Sequence, residues 1–532
     1  MEAPMPGFRP RDLLIGLSMA NLWFIRLWGE ILAVAGPDAY FSSIANADIY
    51  ALMLNVLLLG GVFALGATWL RRQGRWGRRV MVTGFVLVLL AQLNQLGPEL
   101  NPGVLSLVDP WKSGKYLDVL APIAVVLLLV GACWRWLQRA LRLAVGFVLV
   151  LSPFVAVTFG RAALIAWQLN PTEALASRAP TVDDAELPRR AGPRVVLIVL
   201  DAMGRRHAID DRPDSILMPA LERIRAEGLD ATQVTQIGKQ TKISVPGMLS
   251  GLEVEASEPE GADELMLTLE DGRTVPWSET DNLIDEAQEL GGVGVIAGWY
   301  HPYCRLFDSS DACETYPART VGSRARETGF WRAVAEQQLA LVPYLSLRLR
   351  QVEIVETQRE DLAQAAVLGE QGFVFLHVIA PHTPWIWDHD AQDYTLTEFS
   401  PDGMFFNLEL ADVMLGEIRE AMEKAGQWDS TAVIVTSDHV AQYRPRWIEE
   451  PEDTRVPFIV KLPGAPGGMS YDRAFNGIAV HELASALLRD EITDCAGLVA
   501  WLDAHAASAS TPSATPSPAP ASTSAATDAR TP

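Results

Sequence analysis

The sequence predicts two unlike parts: an N-terminal bundle of five transmembrane helices, and an exported α/β domain whose mostly parallel sheet is flanked by helices. Three observations predict them. Long, nearly uncharged apolar runs fill the first third of the 532 residues. Apolar, β-type runs alternate with amphipathic segments through the middle of the chain, the pattern of a parallel sheet covered on both faces. The end, Ala506 to Pro532, is Ala, Ser, Thr and Pro with almost no charge, and it can bury no core. The expected organisation is residues 1–168 as the transmembrane part, 169–193 as a linker, 194–505 as the exported domain and 506–532 as a disordered tail.

Ile49 to Leu70, Val80 to Leu96 and Leu143 to Gly160 are uncharged, and Leu117 to Trp134 carries only Asp118. Each approaches the roughly 20 residues that a helix needs to cross the hydrocarbon core of a bilayer. Leu13 to Gly36 is interrupted by Arg26 and Glu30, which stand four apart and can face each other on a helix. Such a pair serves either a function within the membrane or the packing of the bundle. Arg9 and Arg11, the five arginines of Arg71 to Arg79, and Arg135, Arg139 and Arg142 all fall on one side if there are five spans. That side is cytoplasmic by the excess of positive charge, so the large C-terminal domain lies outside. The expected location is a bacterial inner membrane, crossed several times. The net charge of -22 presents no basic face for phosphate neutralisation and argues against a nucleic-acid partner.

In the exported domain the candidate strands are Arg194–Leu200, Ala231–Gln236, Val293–Ala297, Gly372–Val378, Thr431–Thr436 and Arg455–Lys461. Between them lie the amphipathic segments Leu217–Glu227, Leu283–Leu290, Phe330–Gln338, Leu408–Ala425 and Glu482–Leu488. Ligands of open α/β sheets sit beyond the carboxyl ends of the strands. Four of these ends carry unusual residues. The first ends in Asp201. The second leads into IGKQTKISVPGMLSGL, with Thr241 near the start of a helix. The fourth continues through His377 to His382, and the fifth ends in Asp438 and His439. Alone, an Asp at a strand end is more often a turn residue, and a Thr before Ser-Val-Pro more often a helix cap. Together they make a candidate divalent-metal shell of N and O ligands. A metal would lower the pKa of a threonine hydroxyl, which is otherwise a poor nucleophile. His382 with Lys239 or Lys242 could then stabilise the oxygens of a phosphoryl or sulfuryl centre.

VVLIVLDAMG, TKISVPGMLSG, VGVIAGWYHPY, FVFLHVIAPHTPW, DSTAVIVTSDHV and TRVPFIVKLPG, in this order, resemble the alkaline-phosphatase/sulfatase superfamily over roughly Arg194 to Gly464. Behind five spans, such a domain looks like the membrane phosphoethanolamine transferases and the lipoteichoic acid synthases. The resemblance implies that Thr241 is the nucleophile, with Gly238, Ser244 and Pro246 in register. It implies a metal, zinc in one branch and manganese in another, held by Asp201, Thr241, Asp438 and His439. His382 would touch the transferred group or a second metal. Trp299 and His301 would be substrate contacts, by similarity to the lysine–tryptophan–histidine element of sulfatases. The implied activity moves a phosphorylated head group from a phospholipid donor to an envelope glycan or lipid acceptor, through a phospho-threonine. The alternative is a membrane-anchored hydrolase of phosphodiesters or sulfate esters. A non-catalytic binding protein is the third reading, and the intact Thr, Asp, Asp-His set argues against it.

This chain departs from the transferases in carrying Asp201 where they usually have Glu, and it has no histidine between His439 and Arg455. It departs from sulfatases in lacking a Cys or Ser nucleophile followed by Pro-Ser-Arg. Cys304 and Cys313 stand nine apart in the exported domain and are expected to pair in an oxidising compartment.

Overall fold

The computed structural model describes residues 9–32, 40–43, 46–74, 149–168, 192–320, 330–339, 343–396, 402–441 and 453–509, with a few isolated positions besides. At the N-terminus, helices Pro10–Trp23, Ile25–Leu32, Asn46–Arg72 and Ser152–Gln168 pack around Ala20, Phe24, Trp28, Ile31, Leu52, Val56 and Ala162. Small residues let two of them approach closely. A side chain on Gly16 would put its Cβ 2.3 Å from the carbonyl oxygen of Gly60. The outer faces are also apolar: Leu57, Val62, Leu65, Phe154, Val157 and Trp167 are exposed.

Among the described residues, one helix, Asn46–Leu70, is long and apolar enough to cross a membrane. This corrects the five-helix expectation to a coarser one. The first expected span is divided at Phe24 into helices of 14 and 8 residues. Of the last expected span, Leu143–Gly160, the described part includes the helix Ser152–Gln168 of 17 residues, and most of 143–148 lies outside the described residues. Val80–Leu96 and Leu117–Trp134 lie outside the described residues, as does the Glu30 side chain.

The α/β domain is organised by an eight-stranded sheet. Its strands are β1 (Arg194–Leu200), β2 (Leu229–Ala231), β3 (Val293–Tyr300), β4 (Ala312–Pro317), β5 (Gly372–Val378), β6 (Ala432–Ser437), β7 (Phe458–Lys461) and β8 (Met469–Tyr471). The spatial order is β8-β2-β7-β6-β1-β5-β3-β4. β6, β1, β5, β3 and β4 are mutually parallel, and β7 is antiparallel to both of its neighbours. Every residue of β1 is buried because both faces of the sheet are covered. Val195, Leu197 and Val199 pack with Met248, Leu283, Leu483 and Leu487 on one face. Val196, Ile198 and Leu200 pack with Leu221, Ile224, Ile354 and Leu415 on the other.

β1 and β5 have the bounds expected from the apolar runs. The expected strand Ala231–Gln236 is instead two short pieces, β2 and Val234–Thr235, and the second pairs with Phe475–Asn476 in a separate sheet. A three-stranded antiparallel sheet, Val254–Glu260, Glu264–Leu269 and Thr274–Pro276, was not anticipated. Its acidic residues hide the alternation of Leu265, Leu267 and Leu269, which point into the core. Helix Cys495–Ala509 runs past the expected start of the tail at Ala506.

Gly372 opens β5 with φ +119°, and a Cβ there would lie 2.2 Å from the Val293 carbonyl oxygen. Gly372→Ala should therefore lower stability by about 2–4 kcal/mol. Gly426→Ala, at φ +69° with nothing within 4 Å of its Cβ, should cost about 1 kcal/mol. Thermal melts of the two purified variants check the contrast.

Candidate active site

Asp201 immediately follows β1, and its amide still donates to the Val378 carbonyl of β5 at 3.0 Å. The chain then turns through Ala202, a non-glycine residue at φ +62°. The turn is pinned to the end of β6: Ala202 N–H donates to Asp438 Oδ1 at 3.0 Å and Met203 N–H to Ser437 Oγ at 2.9 Å. Because β1 and β6 are adjacent and in register up to Leu200 and Ser437, the carboxylates that follow them meet.

Thr241 opens helix Thr241–Ser250. The motif around it has a structural logic. Gly238 N–H donates to Ser244 Oγ at 3.1 Å. Pro246 has no N–H to offer the Lys242 carbonyl one turn back. Ser257 Oγ, from the antiparallel sheet, bonds that carbonyl at 2.7 Å instead. Thr241 Oγ1 then lies 3.4 Å from Asp201 Oδ2 and 3.3 Å from His439 Nε2.

His439 Nδ1 is 2.9 Å from the Val440 carbonyl, which can only accept. A proton therefore sits on Nδ1, and Nε2 is the ring atom that faces Asp438 Oδ2, 3.4 Å away. The ligand atoms of Asp201, Asp438 and His439 all lie within 4.8 Å of one another. Among the described residues, Asp201 Oδ1 and Asp438 Oδ2 are buried without a hydrogen-bond partner. Two buried carboxylates side by side repel. Burial first, and the charge of Asp438 second, push the Asp201 carboxyl well above its ordinary range. A divalent cation answers both facts. Metal–ligand bonds of about 2.0 Å in a tetrahedral shell imply ligand–ligand edges of about 3.3 Å. Thr241 Oγ1 to Asp201 Oδ2, Thr241 Oγ1 to His439 Nε2 and His439 Nε2 to Asp438 Oδ2 are near that edge, and the orphaned Asp201 Oδ1 lies 4.0 Å from His439 Nε2, so with small adjustments the residues fit a divalent metal.

The donors around this set are fixed. Trp299 Nε1 donates to Asp201 Oδ2 at 2.8 Å. Tyr303, whose hydroxyl is kept protonated by burial, bonds His377 Nδ1 at 2.9 Å. The other ring nitrogen, His377 Nε2, is 3.6 Å from Asp201 Oδ2. Burial holds His377 neutral, its pKa lowered to about 4. His377 and Tyr303 were not among the expected site residues. The signal for His377 was a single histidine inside the apolar run of β5.

A cavity of about 270 Å³ opens beside Thr241, lined by Gln240, Tyr300, His382, Trp385, Met404 and His439 among others. His382 Nδ1 contacts the Thr383 carbonyl at 2.6 Å, so its Nε2 carries a lone pair while the ring is neutral. Burial lowers its pKa. The other expected substrate contacts are placed elsewhere. Among the described residues, Trp299, His301, Lys239 and Lys242 do not line this cavity. Trp299 supports Asp201, and Lys242 Nζ donates to the Ser257 carbonyl at 3.2 Å. His301 is fully buried behind the Thr241 carbonyl, 3.3 Å from its Nε2. Cys304 and Cys313 form a disulfide.

A parallel-centred α/β sheet with an Asp, Thr and Asp-His metal set at its strand ends defines the alkaline-phosphatase/sulfatase superfamily class of site. A family model described as Sulfatase matches residues 193–488, more than half of the chain. The chain belongs to the sulfatase family. A search of curated proteins finds no match. Among solved structures, it is similar to a phosphonate monoester hydrolase of Agrobacterium radiobacter, at 15% identity over 56% of this chain and 74% of that one, with a TM-score of 0.38. It is also similar to an alkaline phosphatase superfamily protein from Vibrio parahaemolyticus, at 16% identity over 59% of this chain and 72% of that one, with a TM-score of 0.35. A sulfatase from Pseudoalteromonas sp. matches at 13% identity over 57% of this chain and 69% of that one, with a TM-score of 0.37.

Trp299→Phe keeps an aromatic ring but removes the donor to Asp201. It should weaken divalent-metal binding about 10- to 100-fold, whereas Asp438→Asn should abolish it. Calorimetric titration of the metal-stripped protein with zinc and with manganese measures both.

Proposed function

We propose that this chain is a membrane-bound, metal-dependent transferase that carries a phosphorylated head group on Thr241. The observation that carries the reading is the position of Thr241 Oγ1, at a helix N-terminus and within 3.4 Å of both Asp201 Oδ2 and His439 Nε2. The metal ligands would be Asp201, Thr241, Asp438 and His439, with zinc the first candidate and manganese the second. When bound, the metal supplies Lewis acidity to the hydroxyl beside it.

In the first half-reaction, Thr241 Oγ1 forms a bond to phosphorus, and the bond from phosphorus to the glycerol oxygen of a phospholipid breaks. Diacylglycerol leaves with the proton that Thr241 gives up. In the second, a hydroxyl of an envelope glycan or lipid attacks the phospho-threonine. The bond from phosphorus to Thr241 Oγ1 breaks, and His382 takes the acceptor's proton at Nε2, the ring atom opposite its bond to Thr383, and returns it to Thr241 Oγ1 as the hydroxyl re-forms. A phosphoethanolamine-like group is the head group this reading favours. Two features support a multi-pass anchor with the active site outside the cytoplasm: the apolar outward faces of the N-terminal helices and the Cys304–Cys313 disulfide.

Hydrolysis is the second reading, with water in place of the acceptor. Asp201 supports it, because the resembled transferases usually carry Glu there. Membership of the sulfatase family supports it as well.

Intact protein expressed in cells should carry an adduct on Thr241 by mass spectrometry. Thr241→Ala should remove the adduct and lower activity on a phospholipid with a labelled head group by roughly 10³-fold or more. Stripping metal with a chelator should do the same, and adding zinc or manganese should restore activity. A Thr241→Ala protein working at the wild-type rate would overturn the covalent reading. Release of free labelled head group without an acceptor would decide for hydrolysis.

A further inference from the structure

We propose that Tyr40, which lies in the N-terminal part of the chain, is a positioning residue for Thr241: its hydroxyl holds His301 in the tautomer that grips the Thr241 backbone. This rests on Thr241 being the nucleophile, as proposed above.

Tyr40 lies between helices Ile25–Leu32 and Asn46–Arg72, yet it is fully buried in the core of the α/β domain. Its entry is fixed on both sides. Arg305 Nη2 donates to the Tyr40 carbonyl at 2.7 Å, and Ser42 and Ser43 pair in parallel with Arg319 and Thr320. The Tyr40 hydroxyl is 2.8 Å from His301 Nδ1. On the far side of the ring, His301 Nε2 is 3.3 Å from the Thr241 carbonyl oxygen.

The proton positions follow from the partners. A carbonyl oxygen only accepts, so Nε2 must carry the proton. A neutral imidazole with its proton on Nε2 has its lone pair at Nδ1, the atom that faces the Tyr40 hydroxyl at 2.8 Å. The Tyr40 hydroxyl, itself held protonated by burial, donates to that lone pair. Without this donor, the other tautomer becomes accessible, and it turns a lone pair against the Thr241 carbonyl. The nucleophile would then lose a restraint at the first residue of its helix. Small displacements of a reacting group are costly in rate.

The test uses the full-length protein in detergent with a head-group-labelled phosphatidylethanolamine as probe. Tyr40→Phe preserves the ring and removes the hydroxyl. It should lower kcat about five- to tenfold with KM and bound metal unchanged. Once His301 is replaced in His301→Gln, adding Tyr40→Phe should cost nothing more. Nitrogen-15 spectra of the imidazoles give a readout independent of turnover, with His301→Gln assigning the signal. Wild-type His301 should be protonated at Nε2, and Tyr40→Phe should move population to the Nδ1-protonated form. The proposal is overturned if His301 is protonated at Nδ1 in the wild type, or if Tyr40→Phe keeps kcat within about twofold. It is also overturned if Tyr40→Phe costs the same rate in both backgrounds. Wild-type activity in a parallel Thr241→Ala sample would instead refute the reading on which the proposal rests.

Discussion

The site depends on one electrostatic constraint. Asp201 and Asp438 follow two adjacent parallel strands, β1 and β6, and both carboxylates are buried at one edge of the sheet. Burial of a charge without compensation is expensive. Backbone N–H groups and the Trp299 indole compensate in part, and among the described residues one oxygen of each carboxylate has no hydrogen-bond partner. A divalent cation at that point would complete the set. The turn at Ala202, the bare nitrogen of His439 and the helix start at Thr241 can all be understood as ways of aiming groups at the same small volume.

The sheet was legible because a strand buried on both faces is an uninterrupted apolar run, and β1 and β5 are such runs. The grouping of Asp201, Asp438 and His439 was legible for a related reason. A carboxylate straight after an apolar run has no reason to be there unless the strand end is functional or turns. Two such ends, with a threonine and histidines after two others, are hard to explain by turns alone. What stayed hidden depends on partners distant in sequence. Nothing local to Trp299 says that its indole reaches Asp201. His301 looked like a residue for the substrate because it follows Trp299 and Tyr300, but the turn after β3 carries it behind the nucleophile. Lys242 looked cationic and available until its bond to the Ser257 carbonyl was seen.

The N-terminal part shows the opposite limit. Hydropathy finds apolar runs but not where a helix breaks, as at Phe24. It also assigns no role to the short polar links between runs. Tyr40 and Ser42 to Ser43 lie in such a link, and they enter the core and edge of the α/β domain. Asn55, in the long apolar helix, bonds Gln337 and the Val334 carbonyl of helix Phe330–Leu339. The two parts therefore share hydrogen bonds as well as a covalent linker.

The proline in the nucleophile's helix has a mechanical consequence. By leaving the Lys242 carbonyl open, Pro246 recruits Ser257, and with it a ribbon that touches little else near the chemistry. The residue that follows this ribbon, Trp277, stacks edge-on against His301, with ring centroids 4.9 Å apart. One small antiparallel sheet thus braces the nucleophile's helix from the side and the histidine beneath it from below. It buttresses that helix through Ser257, whose hydroxyl and carbonyl bond the Lys242 carbonyl and Nζ.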